Sequence, residues 1–184
     1  MSELSTDATR VALRALTHGV YVLSVGSADT QTTADGQLTA VDDYLVMSLV
    51  MQCSVQPPRV AFAVCSNARL LPALRVNGGG VLSTLDETQS AAVRRYGVPG
   101  GVRRVPIGPA RSPHGHPIPP EASHWIEFRT VTETIVGDHL LFVADVTAAG
   151  VSNTLVAPNQ TLAGSVESKF APLTLASSGF PYAG

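Results

Sequence analysis

Residues 42–64, DDYLVMSLVMQCSVQPPRVAFAV, decide the fold of this chain. Val, Leu, Met and Phe fill two runs, residues 44–53 and 59–64, and both read as β-strands because such side chains suit a pleated, half-buried surface. Pro57-Pro58 hinges them, since a proline pair removes two ladder donors where the chain must turn. Apolar runs this dense predict burial on both faces, with other strands wrapped around them.

At 184 residues and 45% hydrophobic, the chain can bury a proper core and is most simply one domain. Its net charge of −2 gives no electrostatic case for nucleic acid or for an anionic membrane surface. Positive charge is almost all arginine, with Lys169 the only lysine. The opening MSELSTDATR carries acids and lacks an apolar core, so no signal peptide is visible. No apolar run has the length of a membrane helix. Cys53 and Cys65 lie in the apolar strands and read as small core residues in a reducing compartment. The expected location is the cytoplasm.

Outside the central stretch, residues 5–16 read as an amphipathic helix, capped by Ser5 or Asp7, with Val11, Leu13 and Leu16 apolar. Residues 20–25 (VYVLSV) are the first strand, and the turn-rich residues 26–36 form a loop. Leu70, Leu71, Leu74 and Val76 fit a short helix with Pro72 in its first turn. Asn77-Gly-Gly-Gly80 follows a helix, whereas a phosphate loop follows a strand, so it reads as a helix stop. Residues 81–85 are a strand, and Asp86 opens a helix to Tyr96. Residues 97–120 are too rich in Pro and Gly for regular structure and read as a lid or the wall of a site. Residues 123–134 and 139–148 form two strands joined through Gly137. In the first of them Trp125, Glu127 and Arg129 share one face and Ile126, Phe128 and Thr130 the other, with one face buried. Strands dominate: a β-barrel with short helices.

The order of these pieces carries a resemblance. HGVYVLSV follows a helix; S-V-Q-P-P-R-V-A-F-A-V is central; VLSTL comes next; Val136-Gly137-Asp138-His139 precedes LLFVADV; and Pro172-Leu173 leads to a Gly179–Gly184 tail anchored by Phe180 and Tyr182. The chain resembles the flavin-reductase-like, FMN-binding split-barrel family over nearly its whole length. The resemblance implies a homodimer with ligand sites at the subunit interface. It also implies FMN held through its phosphate by hydroxyl side chains and backbone amides.

Against that family pattern, Ser48 and Ser54 are kept. Tyr44 stands at a glycine position, Val46 and Met51 at threonine positions, Leu70 at a hydroxyl position at the next helix start, and Ser83 at an asparagine position. Each lost charge-assisted hydrogen bond is worth about 1.5–3 kcal/mol. Losing those at Val46, Met51 and Leu70 would weaken FMN by several orders of magnitude. Ser66, Asn67 and Arg69 offer partial compensation.

Other candidate chemistry is sparse. Gly137-Asp138-His139 keeps the family form, and reads either as a tight turn capped by Asp138 or as a functional His139. His114 and His116, with His124 and His139, lack the companion ligands of a metal site and read as solvated or lid histidines. Arg94, Arg95, Arg103 and Arg104 flank the irregular loop and read as solvated or paired with acids such as Asp86 and Glu87. Glu127 beside Trp125 could move a proton, but the solvated-face reading is preferred.

Since the replacements fall on phosphate-binding positions, the preferred reading is a split barrel that has lost tight FMN binding. It would use an apolar cleft for non-redox cyclisation or rearrangement of a hydrophobic small molecule, with no cofactor. That reading resembles flavin-free split barrels of polyketide and polyether natural-product pathways. Tyr44, Met47, Met51, Leu70 and Trp125 would bind substrate, with Ser48, Arg69 and His139 as catalytic handles. The alternative is an FMN-dependent NAD(P)H oxidoreductase, with Ser48, Ser54 and Ser83 on the cofactor. A third reading is a non-catalytic small-molecule binder.

Overall fold

The computed structural model describes residues 6–26, 30–32, 38–40, 42–97, 110–151, 154–156 and 170–179. In chain order its elements are α1 (Thr6–Arg14), β1 (Tyr21–Val25), β2 (Thr30–Thr32), β3 (Leu38–Ala40), β4 (Asp43–Met47), β5 (Val50–Ser54) and β6 (Arg59–Cys65). Then come α2 (Leu71–Asn77), β7 (Gly79–Thr84), a 3-10 turn (Glu87–Gln89), α3 (Ser90–Tyr96), β8 (Ala110–Arg111) and β9 (Pro117–Ile118). β10 (His124–Val136), β11 (His139–Val151), β12 (Thr154–Val156) and α4 (Leu175–Ser178) complete the order. Ser5, Arg103, Arg104, Phe180 and Tyr182 lie outside the described residues.

One antiparallel sheet dominates, ordered β4-β1-β7-β10-β11-β6-β5 with β12 paired to β11. Short pairs β2-β3 and β8-β9 stand apart from it. The fold is mainly β with short helices, as the sequence predicts. The central apolar run is two strands rather than one: it breaks at Ser48-Leu49, so that β4 and β5 occupy opposite edges of the sheet. An edge strand has a partner on one side only, and β5 accordingly leaves Met51, Gln52 and Cys53 exposed. This corrects the expectation that the whole run is buried, and with it the placement of Cys53 in the core. Cys65 is only half-buried.

Alternation along the strands sorts apolar side chains onto two faces. Inside lie Leu23, Val25, Met47, Phe62, Leu82, Phe128 and Phe142, with Leu71 and Leu74 of α2 and Leu70 just before it closing over them. Phe62 stacks on Phe142 at a centroid distance of 5.2 Å and tilts against Phe128 at 4.9 Å. On the outer face Val20, Val22, Tyr44 and Leu85 meet Ala92, Val93 and Tyr96 of α3 and Leu173. Beside them, Val81, Trp125 and Ala148 are covered by Ile118 and Ala122. Both faces of the first half of β10 are therefore covered, where the alternation predicts only one. The irregular segment supplies the second cover.

Asp86 caps its turn in a reciprocal arrangement: its side chain accepts from the Thr88 N–H, and the Gln89 side chain accepts from the Asp86 N–H. That satisfies donors the first turn leaves unpaired. Gly137, at φ 65°, closes the β10–β11 hairpin, where a left-handed residue is needed. Among the described residues no helix is long and apolar enough to cross a membrane.

Candidate functional site

The start of β7 decides where a cleft can form. Gly78, at φ 64°, ends α2 and donates its N–H to Leu74 O at 2.9 Å. Gly79 and Gly80 are already strand, and they are glycines for a different reason. A Cβ on Gly79 would lie 2.4 Å from Phe128 O, and one on Gly80 2.8 Å from Ser24 O. The triplet is thus a helix stop, as its position predicts, and also the place where β7 presses against β10 and β1. Nothing lies within 4 Å of a Cβ built on Gly78, which opens one wall of a cleft.

That cleft, about 180 Å³, is lined by Asn77, Gly78 and Gly79, by Glu127, Phe128 and Arg129 of β10, by Thr147, and by His114 and His116. Its chemistry centres on Glu127, which is 1% exposed. Alternation along β10 puts Phe128 in the inner core and Glu127 with Trp125 on the outer face, and the register shift between Glu127 and Phe128 leaves Thr147 of β11 as the extra, bulged residue opposite them. The Glu127 carboxylate accepts from Ser112 Oγ, from the His114 N–H at 3.0 Å and from Thr147 Oγ1 at 3.4 Å, with His114 Nδ1 at 2.7 Å. Burial pushes the carboxyl pKa up, but the hydrogen bonds from Ser112 and His114 outweigh it, and the group is held below the usual glutamate range. An ionised carboxylate only accepts, so His114 Nδ1 must be the donor. The preferred solvated reading of Glu127 is corrected: residues 112–116 seal it.

The same turn is tied down at several points. His116 is buried, and its Nδ1 accepts from the Gly26 N–H at 3.2 Å. Burial lowers its pKa and favours the neutral ring. Arg111 grips buried Asp42 through two bonds, at 2.7 and 2.9 Å, and donates to Gly115 O at 3.0 Å. Of the histidine pair, then, His116 is structural and buried, whereas His114 is exposed at the cleft.

The residues singled out from the sequence are not gathered in one place. Tyr44 is fully buried and packs on Tyr96 at 5.0 Å. Met47 and Leu70 belong to the inner core, and Trp125 to the second outer cluster. Met51 is 63% exposed on the sheet edge. As core side chains of three clusters, Tyr44, Met47, Leu70 and Trp125 do not line a common cleft in this chain. Ser48 sits half-buried in the β4–β5 turn, and Ser54 half-buried at the end of β5. Arg69 is exposed and pairs with Asp43 at 2.7 Å. His139 is half-buried, with Nδ1 2.7 Å from the exposed Asp138 carboxylate. Ser83 Oγ and Trp125 Nε1, on directly paired positions of β7 and β10, are buried without a hydrogen-bond partner among the described residues.

These placements bear on a flavin. Leu70 is 1% exposed and packs in the inner core, so its side chain offers a phosphate nothing. Val46 packs against the outer cluster around Tyr44. Arg69 already faces a carboxylate, which opposes an added anion. Ser48 and Ser54 remain as partly exposed hydroxyls. The residues present fit a flavin held through few phosphate contacts.

Comparison with known proteins places the fold. No curated protein sequence matches the chain significantly. Among solved structures, the styrene monooxygenase flavin reductase of Pseudomonas putida is 26% identical, with 77% of this chain and 86% of that one covered at a TM-score of 0.61. An NADH:FAD oxidoreductase of Streptomyces globisporus is 22% identical, covering 82% of this chain and 88% of that one at a TM-score of 0.64. A nitrilotriacetate monooxygenase component B homologue of Mycobacterium thermoresistibile is 18% identical, covering 85% and 78% at a TM-score of 0.68. The model of the flavin reductase like domain matches residues 13–182. The chain belongs to the flavin reductase-like family, on a split-barrel fold.

Proposed function

We propose that the protein is an NAD(P)H:flavin oxidoreductase that takes its flavin as an exchangeable substrate rather than as a tightly held cofactor. The observation that carries this reading is the family match across residues 13–182. The exchangeable character follows from the few phosphate donors. With Val46 and Leu70 turned into apolar clusters, Ser48 and Ser54 are the hydroxyls left to replace water around the phosphate. The flavin supplies hydride acceptance from the reduced nicotinamide. This chain's residues bind and orient both nucleotides, with Ser48 and Ser54 toward the phosphate and His139 toward the nicotinamide.

The same reading includes a homodimer with the ligand site at the interface. Edge strand β5 supports it, because Met51 and Val55 expose apolar surface beside unpaired backbone. Sedimentation at several concentrations tests this. NADH and NADPH oxidation, with and without added FMN or FAD, tests the activity: turnover that depends on added flavin is expected, and none with either flavin contradicts it.

A second reading follows from the same apolar replacements: a non-redox cyclase or isomerase acting on a hydrophobic small molecule of a natural-product pathway. Val46, Met51 and Leu70 favour it, since each trades a donor for hydrocarbon. Conversion of a hydrophobic substrate without change of oxidation state, by protein that ignores flavin, would select it.

A further inference from the structure

The Glu127 cleft is a site of its own. Register places it at the Gly79 end of β7, where Arg129 of β10 pairs, whereas the strand before Ser48 runs beside the Thr84 end through Tyr21. Its size limits what enters. A cavity of roughly 150 Å³ holds benzene, so about 180 Å³ accommodates one ring or a short chain and not a flavin.

Its charges set the ligand's sign. Glu127 is sealed, and its oxygens are taken by Ser112, His114 and Thr147. Arg129 lines the same cleft, and its ion-pair partner among the described residues, Asp145, is 3.8 Å away and already holds Arg59 at 2.7 Å. Asn77 and His116 add no charge when His116 is neutral. The cleft therefore presents a loosely engaged guanidinium, whose planar fork matches a carboxylate. His114 supplies the second contact. Its Nδ1 is committed to Glu127, which fixes the ring and leaves Nε2 without a hydrogen-bond partner among the described residues. A buried carboxylate orienting an imidazole whose far nitrogen is open is the arrangement that lets a histidine exchange protons with a bound group.

We propose that this cleft binds a small carboxylic acid, about one ring in size, with Arg129 gripping the carboxylate, His114 Nε2 taking up a proton from solvent as the anion enters and donating it in a hydrogen bond to the ligand, and Glu127 as the positioning residue. Benzoate is the probe. Histidine proton–nitrogen correlation spectra of the full chain are followed as benzoate, and separately uncharged benzamide, are added to tens of millimolar. His114→Gln identifies the resonance. Benzoate should shift the His114 Nε2 signal saturably and benzamide should not. Arg129→Gln should weaken benzoate by about tenfold or more, one charge-assisted contact's worth. Glu127→Gln should change the His114 tautomer signature, which a merely structural role would leave alone. Should that variant fail to fold, the exposed His114 and Arg129 variants still decide the matter. No saturable shift, an equal response to benzamide, or unchanged affinity in Arg129→Gln would each overturn the proposal.

Discussion

The Glu127 carboxylate lies 2.7 Å from His114 Nδ1 while itself being 1% exposed, so one exposed imidazole is held by a carboxylate that solvent does not reach. Removing that carboxylate should do more than free a histidine. Glu127→Ala leaves Ser112 Oγ and the His114 N–H without their acceptor, and a buried unpaired donor costs about 1–3 kcal/mol. Urea unfolding should show a loss of about 2–4 kcal/mol, the cavity included.

Acid should unfold the protein in two separable limbs. Glu127 has its pKa lowered in the folded state, so its stabilisation is present above the ordinary glutamate value of 4.5 and is lost as pH falls through the folded value. His116 is lowered from 6.5 chiefly by burial, so its neutral form stabilises the fold above that value and the benefit fades on acidification below it. His116→Asn, whose side-chain oxygen can still accept from Gly26, should flatten the upper limb. Glu127→Gln should flatten the lower one. Stability measured from pH 7 downward checks both.

Gly79→Ala and Gly80→Ala should each destabilise by about 1–3 kcal/mol, the usual range for overpacking. In both, the added methyl meets backbone carbonyl oxygen rather than a movable side chain. Gly78→Ala meets no atom within 4 Å and should cost about 1–2 kcal/mol, from its left-handed backbone alone. Thermal unfolding of the three variants separates contact from conformation.

Restoring phosphate donors should tighten flavin. Met51→Thr returns one hydroxyl at an exposed position, and at about 1.5 kcal/mol for a charge-assisted bond it should strengthen FMN binding by about tenfold, whereas Val46→Thr, packed against the cluster around Tyr44, should add nothing. Leu70→Ser should not help, because Leu70 lies in the inner core and its loss costs about 2–5 kcal/mol of stability. FMN titrations followed by fluorescence check all three.

His139→Ala and Ser48→Ala remove partly exposed polar groups and should lower turnover with little change in folding stability. Unchanged turnover in both would take these residues out of the mechanism.

Much of the fold is legible in the sequence, because strand alternation, Pro57-Pro58 and the Gly137 turn are local signals. The break at Ser48-Leu49 carries no such mark, as the apolar run continues through it. Glu127 shows the larger difficulty. Its burial depends on residues 112–122 folding back over β10, and that segment has proline and glycine in place of periodicity. The cleft is legible only in fragments: His114 and Glu127 each draw notice alone, but their pairing is a product of tertiary structure. Likewise, Leu70 stands at a hydroxyl position of the motif, just before α2, while its side chain packs in the core.

The most direct measurement is the visible spectrum of the purified protein, followed by NAD(P)H oxidation as FMN or FAD is added back. Colourless protein whose turnover rises with added flavin, and which releases that flavin on gel filtration, is the predicted result. Protein that neither binds flavin nor oxidises NADH or NADPH at any flavin concentration would contradict the oxidoreductase reading.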